Sequence, residues 1–330
     1  MAKILFVIPD LYGRVTGANK RAIALAKELS KMHSVVVFSK KKILYIDSEA
    51  GNTILNTSFT SILRVLTKNR FNYWFCDTIF YAIFPIPNLI FTLHDMKEWT
   101  EYGRNGFIKK IVLHLILKRS KYLITVSENQ REIIKRILHN ESLVFKNAVS
   151  QEWLDFPLAT ITDNLVEKEK YVLYVSNLAK HKGHNDILKN TDILSEYKII
   201  FIGTPIDKEG VLIKRDIENT DGCFIYSNVG ELELINWVSN ASFILFPSYY
   251  EGFGMPILES IALKKRVLIN KELDLDHFKS CSNIRRVSFS DGLTSDDIKW
   301  SELDVDYCDK CNCKYGWSYI AEEVNASILQ

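Results

Sequence analysis

Short, uninterrupted runs of apolar residues alternate with amphipathic stretches along almost the whole chain. Runs without polar alternation are typical of strands that are buried on both faces of a parallel sheet. Amphipathic stretches with few helix breakers, such as residues 18–32, are typical of helices. In the first half of the chain this pattern predicts strands at 3–8, 34–38, 72–76, 88–92, 121–126 and 142–145, and helices at 18–32, 107–119 and 127–138.

The alternation pauses at residues 150–169, a mixed, polar segment that reads as a hinge or linker. It then resumes with helices between further apolar runs. Strands are predicted at 171–175, 197–202, 222–226, 242–246 and 266–269. Alternating strands and helices favour a parallel sheet covered by helices, so we expect two α/β halves of similar length.

Composition narrows the class of protein. A chain of 330 residues suggests about two domains. A formal net charge of +2 gives no case for nucleic acid as a partner. The N-terminal apolar run ends at Pro9, too early for a signal peptide, and no run of about 18 apolar residues predicts a membrane span. We therefore expect a cytoplasmic protein.

Residues 246–259 run from a predicted strand through a glycine-containing loop into a predicted helix. Their sequence is Phe-Pro-Ser-Tyr-Tyr-Glu-Gly-Phe-Gly-Met-Pro-Ile-Leu-Glu. The two glycines leave backbone that a ligand can approach closely, and Pro256 suits the first turn of a helix. Free N–H groups at such a helix start favour an anion such as a phosphate. Glu251 and Glu259 can each accept hydrogen bonds from the hydroxyl groups of a different sugar.

This arrangement resembles the Glu-x7-Glu element of retaining glycosyltransferases with the GT-B fold, in particular family 4. The resemblance covers nearly the whole chain and is weakest at residues 272–312. It implies an α/β protein with two Rossmann-like domains that face each other across a cleft. Residues 1–155 would form the acceptor-binding domain, with a helix at about 317–330 crossing back to it, and residues 156–316 would bind the donor.

A second segment, residues 174–183, resembles the loop of the family that grips the donor diphosphate. Lys182 matches the lysine of that loop, whereas Ser176 and Asn177 stand where the family has glycine and arginine. Lys180 or His181 would then supply some of the missing positive charge, or the donor is held less tightly. Enzymes of this fold commonly work without a metal, so we expect no metal or other cofactor and a leaving diphosphate stabilised by cations and helix N-termini.

The resemblance also implies roles for individual residues. Glu259 would bind the ribose, and Glu251 with the amides of the glycine-containing loop would hold the donor sugar. The implied donor-binding set is Gly17, Lys182, Glu251, Gly252, Phe253, Gly254, Leu258 and Glu259.

His94 follows the strand predicted at 88–92, where side chains face the ligand crevice of a parallel sheet. The family often has a histidine at this place, so His94 joins Lys182 and Glu251 as a candidate catalytic residue. Asp95 would orient it, and Asp95 and Arg14 are the candidate acceptor-binding residues. The alternative interpretation is that His94 forms hydrogen bonds only within its own loop and has no role in catalysis.

Two other features leave alternatives open. The helix predicted at 107–119 has basic ends and an apolar middle, so it is either a core helix with solvated ends or a helix lying on the inner face of an anionic membrane. Six cysteines occur, and Cys308, Cys311 and Cys313 with Cys281 are either structural thiols or ligands of a zinc ion.

Together these features predict a retaining glycosyltransferase that moves a hexose from a UDP- or GDP-linked sugar to a glycan or lipid-linked acceptor. By resemblance, its place is bacterial surface polysaccharide synthesis. Two alternatives remain open: a nucleotide-sugar epimerase of the same fold, and a non-catalytic partner subunit that keeps the fold without turnover.

Overall fold

The computed structural model divides into two compact units, Met1–Ala148 with Tyr315–Gln330, and Val149–Lys314. It describes residues 1–8, 17–39, 54–56, 71–77, 79–82, 86–96, 107–156, 170–303 and 316–329.

The described part of the first unit is built on a parallel sheet of seven strands in the order β3-β2-β1-β4-β5-β6-β7. These strands are β1 (Lys3–Val7), β2 (Ser34–Ser39), β3 (Ile54–Asn56), β4 (Tyr73–Cys76), β5 (Leu89–Leu93), β6 (Tyr122–Thr125) and β7 (Leu143–Val144). The helices are α1 (Gly17–Ser30), α2 (Ile79–Ala82), α3 (Phe107–Arg119) and α4 (Glu128–Leu138), with one from the chain end described below.

Helices cover both faces of this sheet, which explains why its strands are continuously apolar. Alternate residues of β1 belong to different cores: Ile4 lies in the core that contains Leu25 of α1, and Leu5 in the core that contains Ile116 of α3. The side chain of Ser127 accepts a hydrogen bond from the Gln130 N–H and caps α4.

The described part of the second unit has a parallel sheet of six strands in the order β10-β9-β8-β11-β12-β13. These strands are β8 (Tyr171–Val175), β9 (Lys198–Ile202), β10 (Cys223–Tyr226), β11 (Ile244–Phe246), β12 (Val267–Asn270) and β13 (Ile284–Val287). The helices are α5 (Gln151–Leu154), α6 (His184–Leu188), α7 (Lys208–Glu218), α8 (Glu231–Asn240), α9 (Met255–Ala262) and α10 (Ser295–Ser301).

The end of the chain belongs to the first unit. Helix α11 (Trp317–Val324) continues into a π-helical turn, Asn325–Leu329, and packs against α1. Trp317, Ile320 and Val324 are buried in the same core as Leu25.

The boundary between the units differs from the one predicted at residue 155. Val149–Leu154 belongs to the second unit, because Trp153 is buried there and its indole N–H donates to Glu231 Oε1 over 2.6 Å. The α/β class and the alternation of strands and helices are confirmed. Strands β3 and β13 are absent from the predicted set.

Candidate functional site

Two loops of the second unit meet at the carboxyl ends of neighbouring strands. Strands β8 and β11 pair in parallel at the point where the strand order of the sheet reverses. A 3-10 turn, Lys180–Lys182, follows β8, and residues 247–251 follow β11. In open α/β sheets, ligands bind at the carboxyl ends of strands at such a point.

Backbone and side-chain hydrogen bonds tie these loops together. The Tyr249 N–H donates to the carbonyl of His181 over 2.9 Å. The Tyr174 hydroxyl donates to the carbonyl of Lys182 over 2.7 Å and lies 2.9 Å from Ser248 Oγ. Burial, reinforced by the charge of Glu251, raises the pKa of Tyr174, so its hydroxyl stays protonated and remains a donor.

The result is a close ion pair between two predicted site residues. Lys182 Nζ lies 2.6 Å from Glu251 Oε1, and their side chains are only 17% and 14% exposed. His184, two residues after Lys182, is also shielded from water. Burial, helped by the charge of Lys182, lowers the pKa of His184 to about 3, so its imidazole is neutral. The lysine and the first glutamate of the motif therefore form one charged centre.

Gly183 makes the close approach of the two loops possible. It has a φ of +69°, and a Cβ atom there would lie 2.5 Å from the carbonyl oxygen of Pro247. A side chain would therefore push the lysine turn away from the loop that carries Glu251.

We expect Gly183→Ala to lower the free energy of unfolding and the affinity for a nucleotide together. Gly222→Ala is the matched control, because Gly222 has a φ of +76° but open space around the added Cβ. The control should lose only the left-handed strain of about 1–2 kcal/mol, and Gly183→Ala clearly more. Urea unfolding measures the difference, and equal losses in the two variants would contradict a steric role for Gly183.

The way in which the glycine-containing loop enters α9 limits which backbone N–H groups can bind an anion. Gly254 has a φ of +85° and precedes the helix, and Pro256 lies in its first turn. The N–H groups of Ile257 and Leu258 both donate to the carbonyl of Gly254. Contacts with an anion at this helix start therefore fall to the amides before Pro256.

The two predicted donor-binding residues of α9, Leu258 and Glu259, differ in the groups that they have available for binding. Leu258 is completely buried and its N–H donates to the carbonyl of Gly254, so its contact with the donor stays a prediction. Glu259 is only 6% exposed, so it places a carboxylate in a largely apolar helix. Such a carboxylate needs hydrogen-bond donors around it.

His277 is a residue of this site that sequence reasoning missed. It lies in the 3-10 turn Asp276–Phe278, its imidazole stacks on the ring of Phe253 at 4.2 Å, and its Nε2 lies 2.8 Å from the carbonyl oxygen of Phe253. Its other ring nitrogen lies 3.5 Å from Asp276 Oδ1, and this contact lowers the pKa of Asp276. His277 therefore holds the loop between the two glutamates. It falls in the stretch 272–312, where the sequence resembles the family least.

In the first unit, His94 is hydrogen-bonded to an aspartate that the sequence did not single out. His94 follows β5, Asp77 follows the neighbouring strand β4, and His94 Nε2 lies 3.1 Å from Asp77 Oδ2. Asp95 was the predicted orienting residue, but the carboxylate at this nitrogen is that of Asp77. Applying the strand-end argument used for His94 to the strand predicted at 72–76 would have found it.

Other predicted residues lie apart from these contacts or outside the described residues. Gly17 is the first residue of α1. Arg14 and the cysteines at 308, 311 and 313 lie outside the described residues, and Cys281 is buried. Within the described ranges, no group of three or more histidine, cysteine, aspartate or glutamate side chains is placed to hold a metal ion.

Comparison with known proteins finds a matching family model and several sequence relatives. Residues 161–273 match the family model for glycosyl transferases group 1. The O-antigen chain mannosyltransferase RfbU of Salmonella typhimurium is 28% identical, over 70% of this chain and 69% of that protein. O-antigen chain mannosyltransferase B of Escherichia coli is 26% identical, over 56% of this chain and 53% of that protein.

Solved structures show the same fold. Sucrose-phosphate synthase from Thermosynechococcus elongatus superposes with a TM-score of 0.78 at 15% identity, covering 99% of this chain and 98% of that one. HepE from Anabaena, in complex with UDP-glucose, gives a TM-score of 0.72 at 13% identity and covers 100% of both chains. Residues 161–273 are thus similar to glycosyl transferases group 1, and the chain has the GT-B fold.

Proposed function

We propose that the protein is a retaining glycosyltransferase that transfers a hexose from a nucleoside-diphosphate sugar to a glycan or lipid-linked acceptor. The observation that supports this best is the Lys182–Glu251 pair at the carboxyl ends of β8 and β11, with Glu259 buried eight residues further on. A cation and two carboxylates at that place suit a ligand with both phosphates and sugar hydroxyls.

The donor is proposed to exchange partners with the ion pair. Its diphosphate attracts the Lys182 ammonium, and Glu251 is released to accept hydrogen bonds from hydroxyls of the donor sugar. Glu259 accepts from the ribose hydroxyls. In this scheme Lys182 supplies positive charge where the leaving diphosphate develops negative charge, so we propose that no metal ion is needed.

The second unit binds the donor in this proposal, and the first unit binds the acceptor near Gly17 and His94. The acceptor hydroxyl attacks the anomeric carbon on the face of the leaving group. The bond to the diphosphate breaks, and the departing phosphate oxygen takes the proton of the hydroxyl. The anomeric configuration is thereby retained.

The relatives suggest the sugar and the pathway. Two of them are named as O-antigen chain mannosyltransferases, and HepE is described with UDP-glucose bound. We therefore propose a role in bacterial surface polysaccharide synthesis, with mannose as the first donor sugar to test.

The test is incubation of the protein with GDP-mannose, UDP-glucose or UDP-galactose, in EDTA, with octyl glycosides as probe acceptors. Release of one nucleoside diphosphate together with a glycosylated product whose anomeric configuration matches the donor is the expected result. An isomerised donor sugar without acceptor would identify an epimerase. Nucleotide binding with no turnover on any donor would favour the non-catalytic partner.

Helix α3 adds a proposal about the location of the acceptor. No helix among the described residues is long and apolar enough to cross a bilayer. The face of α3 that packs on the sheet includes Leu113 and Ile116, whereas Ile111 and Leu115 are 46% and 58% exposed. Exposed Lys118 and Arg119 follow them. We propose that the exposed face of α3, with Ile111 and Leu115, lies on the anionic inner face of a membrane, where lipid-linked acceptors are found.

Leu115→Glu is expected to weaken binding to vesicles containing phosphatidylglycerol by at least tenfold, because burial of a leucine side chain contributes about 1.5–3 kcal/mol. Leu212→Glu is the matched control, since Leu212 on α7 is similarly exposed. Co-sedimentation measures binding. Equal binding of both variants and wild type would show that α3 is not the attachment face.

A further inference from the structure

Asp77 and His94 stand together at the carboxyl edge of the first sheet. Their strands, β4 and β5, are parallel neighbours, and β4 adjoins β1 at the point where the strand order reverses. Their side chains are 12% and 21% exposed, so the contact between them is largely shielded from water. The partners are 17 residues apart in sequence, and strand adjacency brings them together.

The chemistry of the two groups decides which ring nitrogen is engaged. An ionised carboxylate can only accept, so Nε2 of His94 is the nitrogen that donates to Asp77. In the neutral imidazole the other nitrogen, Nδ1, then carries a lone pair and can accept a hydrogen bond. Asp77 thereby selects both the tautomer and the orientation of the ring.

A buried arginine of the first unit interacts electrostatically with the aspartate. Arg21 of α1 is 2% exposed, and its Nη1 donates to the side-chain oxygen of Asn147 over 2.7 Å and to the carbonyl of Lys146. Burial lowers the pKa of Arg21 to about 10, and the charge of Asp77 counteracts part of that effect. Arg21 is therefore still cationic at neutral pH, and its charge interacts electrostatically with that of Asp77.

We infer that Asp77 is a positioning residue that holds His94 with Nδ1 turned to the substrate as an acceptor for a sugar hydroxyl. This inference rests on the proposed function, because it assigns the nitrogen with which His94 contacts a sugar. Asp77 itself does not touch the substrate. Removing it should therefore matter only while His94 is present.

The first experiment is a double-mutant cycle with Asp77→Ala and His94→Gln, measured as kcat and KM of the transferase reaction. Asp77→Ala alone is expected to lower kcat by about 10- to 100-fold with little change in KM, an effect no larger than the least that a general acid–base group contributes. In the His94→Gln background the same change should have almost no further effect. Effects that multiply would overturn the inference.

Glu28→Ala on α1 is the control, because Glu28 forms a surface ion pair with Lys31 at 2.6 Å. It should leave kcat and KM unchanged. Thermal unfolding of all variants separates loss of fold from loss of positioning. If Asp77→Ala fails to fold, Asp77→Asn takes its place in the cycle, since it keeps the volume and removes the charge.

A second measurement does not depend on activity. In protein labelled with 15N-histidine, the Nε2–H group of His94, assigned with His94→Gln, should give a protected, downfield proton resonance that is lost in Asp77→Ala. Absence of that resonance from wild type, or its persistence in the variant, would overturn the inference. If the resonance behaves as expected while no donor is turned over, the positioning stands and the proposed function fails.

Discussion

Lys182→Met is expected to lower kcat/KM by about 30- to 1,000-fold, equivalent to about 2–4 kcal/mol of transition-state stabilisation. The ammonium of Lys182 lies in a poorly exposed pair with Glu251, where water screens its charge little. A positive charge in such a place stabilises a leaving diphosphate more than an exposed charge would. Methionine keeps the length and apolar body of the side chain but removes the charge.

The ion pair makes a sharper version of this experiment possible. Lys182→Met leaves the Glu251 carboxylate without its cation, which costs about 1–3 kcal/mol of stability. Adding Glu251→Gln should restore much of that stability, because the uncompensated charge is gone. It should not restore kcat/KM, because the cation that acts on the diphosphate is still missing.

The matched control for the lysine is Lys189→Met. Lys189 is 64% exposed and forms an ion pair with Asp186 at 2.7 Å, so it also loses a carboxylate partner on substitution. Its kcat/KM should equal that of wild type. Wild-type kcat/KM in Lys182→Met, or rescue of turnover by Glu251→Gln, would show that Lys182 serves only the local structure.

Glu259→Gln is expected to raise the Kd of the nucleoside diphosphate by about 10- to 150-fold, because hydrogen bonds to a charged group contribute about 1.5–3 kcal/mol. Glutamine has almost the same shape, and Glu259 is buried, so the substitution tests the charge with little change in packing. Calorimetric titration of UDP, GDP and ADP without metal measures the effect. We expect one of the three nucleotides to bind wild type selectively.

A deoxynucleotide shows whether Glu259 contacts the ribose. In wild type, the 2′-deoxy form of the selected nucleotide should bind more weakly than the ribose form, because one hydroxyl donor is missing. In Glu259→Gln this difference should largely disappear. Glu218→Gln, at the exposed end of α7, is the control and should keep it. If Glu259→Gln still bound the 2′-deoxy form more weakly than the ribose form by the same factor as wild type, Glu259 would not contact the ribose.

Local sequence patterns determined most of the secondary structure. Strands buried on both faces of a sheet need apolar residues at every position, so β1, β8 and β11 are legible as uninterrupted runs. Strand β13 escaped prediction because it is an edge strand with two central arginines, Ile-Arg-Arg-Val, and only one of its four residues is buried. An edge strand does not carry the apolar signature of a central one.

Features of the site that lie within one continuous segment were predicted, whereas contacts between distant segments were missed. Glu251 and Glu259 belong to one continuous segment, and its glycines and proline are visible in the sequence. The pairing of Lys182 with Glu251 spans 69 residues and depends on β8 and β11 being neighbours although β9 and β10 intervene in the chain. Sequence order contains no direct record of that adjacency.

The sequence by itself thus determined the α/β class, the central strands, the presence of a lysine, a glutamate and a histidine in the loops after strands, and a second glutamate in the helix that follows. Only the tertiary structure decided their partners: Asp77 at Nε2 of His94, Glu251 for Lys182 and His277 for the loop at Phe253. The physical reason is that secondary structure follows from periodicities within a few residues. Partners at a sheet edge follow from strand order, which the packing of the whole unit selects.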